Sequence, residues 1–592
     1  MRLDKLTIGS AKDSPTHQFK NLKNVTIDFD QDHWVTVVIG WNGTGKSNVL
    51  EALAIIFHDL VTYSSLSTVK RKEIPRFAFQ LAYRMGSGDA TLHIHIDADP
   101  DREKDHFIIH VANARQAKQA AHINSVLEFD PPDTKPVGHP IKLAAFLKGD
   151  AEYLPRYVFS YYSGGSQRMH EVFRHYLESY DNKLRNGKGE DPGLKRLFYA
   201  MPVHSQFVLL AFLINQTDVV REFLDHQLGL DPEEGLESVL FVLKQPGWSK
   251  RRGKKFRTNG GDDRFWGAKG VVQTFLDRLQ SVALAPIRIR RDVPVTPWNN
   301  ENTEFQYLYV KDIGGLRQLV GNQPPAEFFR DLESTYVSEL IDEVCIRVRL
   351  KKNDGSVTFR ELSEGEQQLL TVLGLLRFTA EDESLFLLDE PDTHLNPRWC
   401  VDYISYLKQF IASGTRKEET SHILLTTHNP LAIAELDREQ VQILRMAKQE
   451  GQRQIVACYP EMAPRGMGYA AIVTSDMFGI ASSLDQPTQE LLETQRAFAA
   501  KERLTPDEQR ELDGINAQLD RLGFRFFHPN DEYSRYLRLR NDLLVQRFET
   551  AQPTELAKQV VQMSRTDREA LAKRLITELL AEEPRRSEGA SS

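Results

Sequence analysis

The chain has 592 residues, 41% apolar and 27% charged, with a formal charge of −8. That composition suits a globular protein with a sizeable core and excludes both a low-complexity chain and a uniformly basic nucleic-acid coat, although a local basic groove stays open. Cys345, Cys400 and Cys458 are too few and too scattered for a disulfide framework or a zinc cluster. No apolar run reaches bilayer length and the N-terminus lacks a secretory apolar core, so the expected setting is cytoplasmic with no membrane partner.

In chain order, "VTIDFD" (25–30) alternates and "WVTVVIG" (34–40) is continuously apolar, which suits a buried strand. Between that strand and the helical pattern "NVLEALAIIFHDL" lies "GWNGTGKS", Gly40 to Ser47. It satisfies G-x-x-x-x-G-K-[ST] in the strand-to-helix context the motif needs. Gly40, Gly43 and Gly45 would let backbone N–H groups close around phosphates, with Lys46 reaching the outer phosphates and Ser47 offering a hydroxyl to Mg²⁺. The motif therefore makes Gly40, Asn42, Gly43, Thr44, Gly45, Lys46, Ser47 and Asn48 the candidate ATP-binding residues.

"RFAFQLAYRM" and "ATLHIHIDAD" alternate on either side of "GSGD" and predict an antiparallel hairpin on the surface, with Asp97 and Asp99 on its second strand. "LPRYVFSYYSGG" (154–165) predicts another buried strand. From 166 to 343 helical stretches such as "FVLLAFLI" and "GVVQTFLDRLQSVAL" alternate with polar loops, and no heptads are sustained. Within this part, "GWSKRRGKKFR" carries Lys250, Arg251, Arg252, Lys254, Lys255 and Arg257 with Trp248 and Phe256 interleaved. Such a run could attract a phosphate backbone and stack bases, or be a solvated loop.

Strands return with "VCIRVRLKK", "SLFLLDEP" and "SHILLTTHNP", the last two ending in polar residues as strands of a parallel sheet do beside a site. Asp389 would hold Mg²⁺ and Glu390 would polarise an attacking water. His428 ends the next apolar strand, where it could sense nucleotide state or serve as an ordinary structural histidine. In "LSEGEQQ", Ser363 and Glu366 form a capping-box pattern, and the capped helix end beside Gly365 could also face an anion. Beyond 462 the chain reads as helical and charged, ending in a polar tail; "RFFHPNDEYSRYLRLRNDLLVQRF" is amphipathic enough to dock on a partner or on the chain itself.

The order GWNGTGKSN, LSEGEQQ, LFLLDEP, DTHLNP, TTHNP resembles the ABC-type ATPase head of the SMC/RecF/OLD superfamily. The resemblance implies an α/β head with a mixed sheet, split into 1–165 and 344–461, with a mainly helical insertion at 166–343 and a helical region at 462–592. It implies that Ser363 and Gly365 contact the γ-phosphate held by a second subunit, that Asp392 lies at that dimer interface, and that His428 is the switch histidine. The glutamine loop has only Gln167 as a candidate. The signature LSEGE departs from LSGGQ toward the SMC-like branch.

Absent heptads argue against an SMC repair arm, and no Asp-x-Asp pair follows His428 as an OLD-type nuclease would require. "LPRYVFSYYSGGSQRMHEVF" and "AAIVTSDMFGIASSLD" are similar to segments of the PtuA-like ATPases of Septu systems and of retrons carrying the same pair. That narrower resemblance implies an anti-phage ATPase that forms an ATP-linked homodimer and controls an HNH endonuclease, in the retron case alongside a reverse transcriptase and its RNA–DNA product. The alternatives are an OLD/RecF-like ATPase of DNA repair or processing, and a nucleotide-binding scaffold without turnover.

Overall fold

The computed structural model describes residues 1–65, 73–119, 137–165, 167–186, 196–214, 216–251, 261–296, 298–351, 356–359, 362–379, 383–412, 420–449, 452–480, 484–499 and 505–522, with scattered positions in 570–577. These divide into two compact units, Met1–Ile480 and Ala481–Ser592.

The first unit is built on three sheets. Strands β1 (Arg2–Ile8), β2 (Val25–Asp28), β4 (Phe79–Met85), β5 (Leu92–Ala98), β6 (Phe107–Asn113) and β7 (His139–Ile141) make an antiparallel six-stranded sheet, in the order β2-β1-β4-β5-β6-β7. A seven-stranded sheet runs β18-β17-β3-β16-β15-β8-β9. It comprises β3 (Val35–Gly40), β8 (Val158–Tyr162), β9 (Leu197–Tyr199), β15 (Leu385–Asp389), β16 (His422–Thr426), β17 (Val441–Gln449) and β18 (Gln452–Cys458). All its pairings are parallel except β17 with β18, so the sheet is mixed, as the sequence implies.

The apolar runs of β3, β15 and β16 do not alternate because both faces of this sheet are covered. Side chains on opposite faces enter different cores. Val35, Val37, Ile39, Phe386, Leu388, Ile423 and Leu425 pack on one side with the helices Val203–Ile214 and Glu364–Thr379. Val38, Leu385, Leu387 and Leu424 pack on the other with the helix Lys46–Ser65 and the six-stranded sheet.

Two expectations are corrected. The Phe79–Ala98 hairpin is antiparallel but is not superficial: β4 and β5 are interior strands of their sheet, with Leu81, Tyr83, Ile94 and Ile96 in the core. The insertion is mixed rather than mainly helical. Its helices Val203–Ile214 and Gly270–Val282 form where "FVLLAFLI" and "GVVQTFLDRLQSVAL" stand. A five-stranded antiparallel sheet joins them, order β11-β12-β10-β13-β14, from β10 (Leu236–Lys244), β11 (Leu284–Thr296), β12 (Asn299–Val310), β13 (Ile341–Arg349) and β14 (Ser356–Thr358). Edge strand β11 is exposed along nearly its whole length, and its short alternation Ile287-Arg288-Ile289-Arg290 is not matched by burial, with Ile287 and Ile289 both exposed.

In the second unit, helices Gln486–Ala499 and Pro506–Arg521 share a small core of Phe498, Ile515 and Leu519. Thr505 and Glu508 form a capping box at the start of the latter. The amphipathic stretch 525–548 lies outside the described residues. Among the described residues no helix is long and apolar enough to cross a membrane.

Candidate functional site

The site is assembled at the C-terminal ends of β3, β16 and β15, adjacent parallel strands. β3 ends at Gly40 with φ +149°, and a Cβ there would stand 2.3 Å from the Leu444 carbonyl oxygen of β17. Only glycine permits that approach. Gly43 and Gly45 also have positive φ, +83° and +90°. Thr44 closes the loop, its N–H and Oγ1 donating to the Trp41 carbonyl at 3.2 and 2.8 Å. Lys46 lies back across the loop and donates through Nζ to the Gly40 carbonyl at 2.9 Å. Burial lowers the Lys46 pKa, against the pull of Glu390 and Asp389.

Asn21 braces this loop from outside the motif. Its Nδ2 donates to the Gly43 carbonyl at 2.7 Å and its Oδ1 accepts from Asn48 Nδ2 at 2.7 Å. A Cβ on Gly45 would meet Leu22 Cδ2 at 2.7 Å. Nothing in the spacing of the phosphate-loop motif points to Asn21.

Asp389 is fully buried and accepts from Ser47 Oγ at 3.0 Å and from Thr426 Oγ1 at 2.5 Å. Arg168 Nη2 stands 3.4 Å from its other oxygen. Burial raises the Asp389 pKa. A hydroxyl and a desolvated carboxylate facing one another are a hard-oxygen donor set for a divalent cation, and with the glycine loop and Lys46 the residues fit Mg²⁺ with a nucleotide.

Glu390 follows in a left-handed conformation, φ +51°, its N–H held by the Thr426 carbonyl at 3.1 Å. A non-glycine residue there is strained. His428 Nε2 lies 3.0 Å from Glu390 Oε1. That hydrogen bond, ahead of the opposing burial, lowers the Glu390 pKa. Asp389 and Glu390 are thus adjacent carboxylates pushed in opposite directions, one by desolvation and one by a partner.

The signature segment has the expected cap. Ser363 N–H donates to Glu366 Oε2 at 2.7 Å and Glu366 N–H donates to Ser363 Oγ at 3.2 Å. Ser363 is exposed at the helix start. Gly365 is buried instead, and a Cβ on it would lie 2.5 Å from the His394 carbonyl oxygen. Its close packing on the loop after Glu390 requires a glycine there. Gln368, one turn on and 5% exposed, donates to the Glu390 carbonyl at 3.4 Å and accepts from His394 N–H at 3.2 Å.

Other expectations shift. Asp392 is 3% exposed and accepts from Thr427 Oγ1 at 2.7 Å, a contact that ties two loops within the chain. Gln167 is exposed, whereas its neighbour Arg168 reaches Asp389 and stacks over Tyr162 at 5.2 Å. Trp248 is buried with Nε1 donating to the Ser338 carbonyl, which removes it as a base-stacking platform. Lys250 donates to Thr303 Oγ1 and pairs with Glu301 at 3.1 Å. Arg251 ends a short helix; Arg252, Lys254, Lys255 and Arg257 lie outside the described residues.

Two family models match the chain: "AAA domain, putative AbiEii toxin, Type IV TA system" over residues 274–434 and "AAA ATPase domain" over 17–125. Septu protein PtuA of Bacillus mycoides is 26% identical over 169 residues, which is 26% of this chain and 22% of PtuA. The probable peptide export ATP-binding protein YydI of Bacillus subtilis is 28% identical over 86 residues, 14% of this chain and 40% of YydI. The matched stretches therefore span well under half of either relative. An SMC head domain from Thermotoga maritima aligns over 77% of this chain and 99% of its own, at 12% identity and a TM-score of 0.29. The two AAA models fall on the segments that carry the phosphate loop and the acidic strand, so in those segments the chain is similar to AAA-type ATPases, and over about a quarter of its length it is similar to PtuA.

Proposed function

We propose that the chain binds and hydrolyses ATP with Mg²⁺, and that ATP-dependent pairing of two heads controls an effector nuclease of the HNH, PtuB-like kind in a bacterial anti-phage system. The observation that carries the catalytic part is the adjacent placement of the Ser47–Asp389 pair and the Glu390–His428 pair at neighbouring strand ends. Backbone N–H groups of 43–47 and Lys46 would hold the phosphates, and Ser47 and Asp389 would hold Mg²⁺, which would supply charge neutralisation at the phosphate oxygens. Glu390 orients a water and accepts its proton; its lowered pKa keeps it ionised at neutral pH. His428 holds that carboxylate in place and links it to the phosphate side of the site.

The partner side rests on the PtuA resemblance and on the exposed, capped Ser363, which can meet the phosphates of a second copy. A reverse transcriptase with its RNA–DNA product belongs to the retron version of the same arrangement, and the run beginning at Lys250 is the segment for any nucleic-acid contact. The test compares ATP turnover of the native chain and Glu390→Gln. A fall of about 10²–10⁴-fold supports catalysis by Glu390. Equal, negligible turnover in both favours a scaffold. DNA degradation by the purified chain alone with Mg²⁺ would overturn the assignment of cutting to a partner.

A further inference from the structure

A second group of chemistry-bearing residues lies apart from the motifs of the nucleotide site. His17 ends a short helical turn, Pro15–His17, and is 1% exposed. It faces Asp99, 8% exposed, and Asp101, in the turn that follows β5. His17 Nε2 stands 3.2 Å from Asp99 Oδ1 and 3.1 Å from Asp101 Oδ2. Yet this buried nitrogen makes no hydrogen bond of acceptable geometry among the described residues. Three donor atoms, one from each residue, fall within 4.8 Å of one another.

The surroundings hold these donors in place. Ser10 Oγ is 2.6 Å from His17 Nδ1. Thr16 Oγ1 donates to Asp101 Oδ1 at 2.9 Å and Ser14 Oγ to Oδ2 at 3.1 Å. Asp101 N–H donates to Asp99 Oδ1 at 2.9 Å, and Lys12 Nζ donates to Asp99 Oδ2 at 2.8 Å. The backbone is fixed too: Ser10 N–H donates to the His17 carbonyl at 3.0 Å, and a Cβ on Gly9 would strike that oxygen at 2.4 Å. Asp97 is not part of the group, since its carboxylate pairs with Arg102 at 2.6 Å.

The geometry points to a divalent transition-metal site formed by His17 Nε2, Asp99 and Asp101. Ligand atoms bound at about 2.1 Å stand about 3–3.4 Å apart around octahedral or tetrahedral ions, which is the separation of His17 Nε2 from each of the two carboxylate oxygens. In the tautomer whose Nδ1–H donates to Ser10, the Nε2 lone pair is on the side of the two carboxylates, and the hydroxyl bonds of Ser14 and Thr16 orient Asp101 as outer partners of a metal site do. The imidazole favours a borderline ion such as Zn²⁺, Co²⁺ or Ni²⁺ over Mg²⁺ or Ca²⁺. Three protein donors leave positions open to water. Lys12 is the competing cation, occupying the outer oxygen of Asp99 with a side chain 63% exposed and free to leave.

The experiment uses the full chain, stripped by chelator and free of nucleotide, titrated with Co²⁺ and followed by its visible absorption and by metal content after gel filtration. The expected result is one Co²⁺ per chain, displaced by Zn²⁺. Asp101→Asn, at an exposed position that leaves the core intact, weakens binding by at least about tenfold. His17→Gln abolishes the absorption, and Lys12→Gln tightens binding. Ser47→Ala retains the metal, which separates this group from the nucleotide site. No uptake at saturating Co²⁺, uptake unchanged in Asp101→Asn, or uptake lost in Ser47→Ala would each overturn the site.

Discussion

Ser47 and Asp389, 342 positions apart in sequence, meet through a 3.0 Å hydrogen bond from Ser47 Oγ to Asp389 Oδ1. The hydroxyl at the start of one helix and the carboxylate at the end of a non-adjacent strand thus form one unit. Ser47→Ala and Asp389→Asn should each reduce ATP turnover by about tenfold or more, and the double variant should lose less than the sum of the two free energies. Steady-state phosphate release across the four proteins measures the coupling; strict additivity would mean the two residues act separately.

Ser363 supports its helix and faces outward. Ser363→Arg should cost about 1 kcal/mol of stability through the lost cap while leaving nucleotide binding intact. It should also abolish ATP-dependent pairing, read by light scattering in a Glu390→Gln background. Ser363→Thr keeps the cap and should keep the pairing. Normal pairing by the arginine variant would reduce this segment to a helix start.

Asp392 carries a pH signature. Burial raises its pKa from 3.8 to about 6. The folded chain therefore holds a proton that the unfolded chain has released, and this group's favourable contribution is lost as pH rises from about 4 through 6. Asp392→Asn can still accept from Thr427 and should stabilise the protein by about 1–3 kcal/mol at pH 7.5, with no gain at pH 4. Urea unfolding at the two pH values checks the difference.

His422 acts in the opposite sense. It is fully buried on β16 beside Phe29, and burial, then Arg2, lowers its pKa from 6.5 to about 3. The unfolded chain gains a proton first on acidification, so stability present above pH 6.5 is lost as pH falls toward 3, about 2 kcal/mol of it by pH 5. His422→Leu should move acid unfolding, followed by circular dichroism, to lower pH. An unchanged midpoint would assign acid lability elsewhere.

Much of this site is legible in the sequence because its chemistry lies at the ends of apolar strands. The glycines of 40–45, Lys46, Ser47, Asp389, Glu390 and His428 all sit where strand-end reasoning puts them. Residues that reach the site from elsewhere left no local signal: Asn21, Thr426 and Gln368 have ordinary neighbours, and Arg168 was overshadowed by Gln167. Asp392 and Gly365 add packing within the chain that their motif positions alone do not announce. Strands β11 and β12 are hard to read because β11 is an exposed, arginine-bearing edge and β12 buries residues only in its second half, Phe305, Leu308 and Val310, without a strict period of two.

The strand order of the seven-stranded sheet has a mechanical corollary. β16 lies between the phosphate-loop strand and the acidic strand and is laddered to both, Thr426 matching Val38 on one side and Asp389 on the other. Displacement of either flank loads the hydrogen bonds of the strand they share. His428 stands two residues beyond its end, so a shift of either flank would be passed to it through one shared ladder.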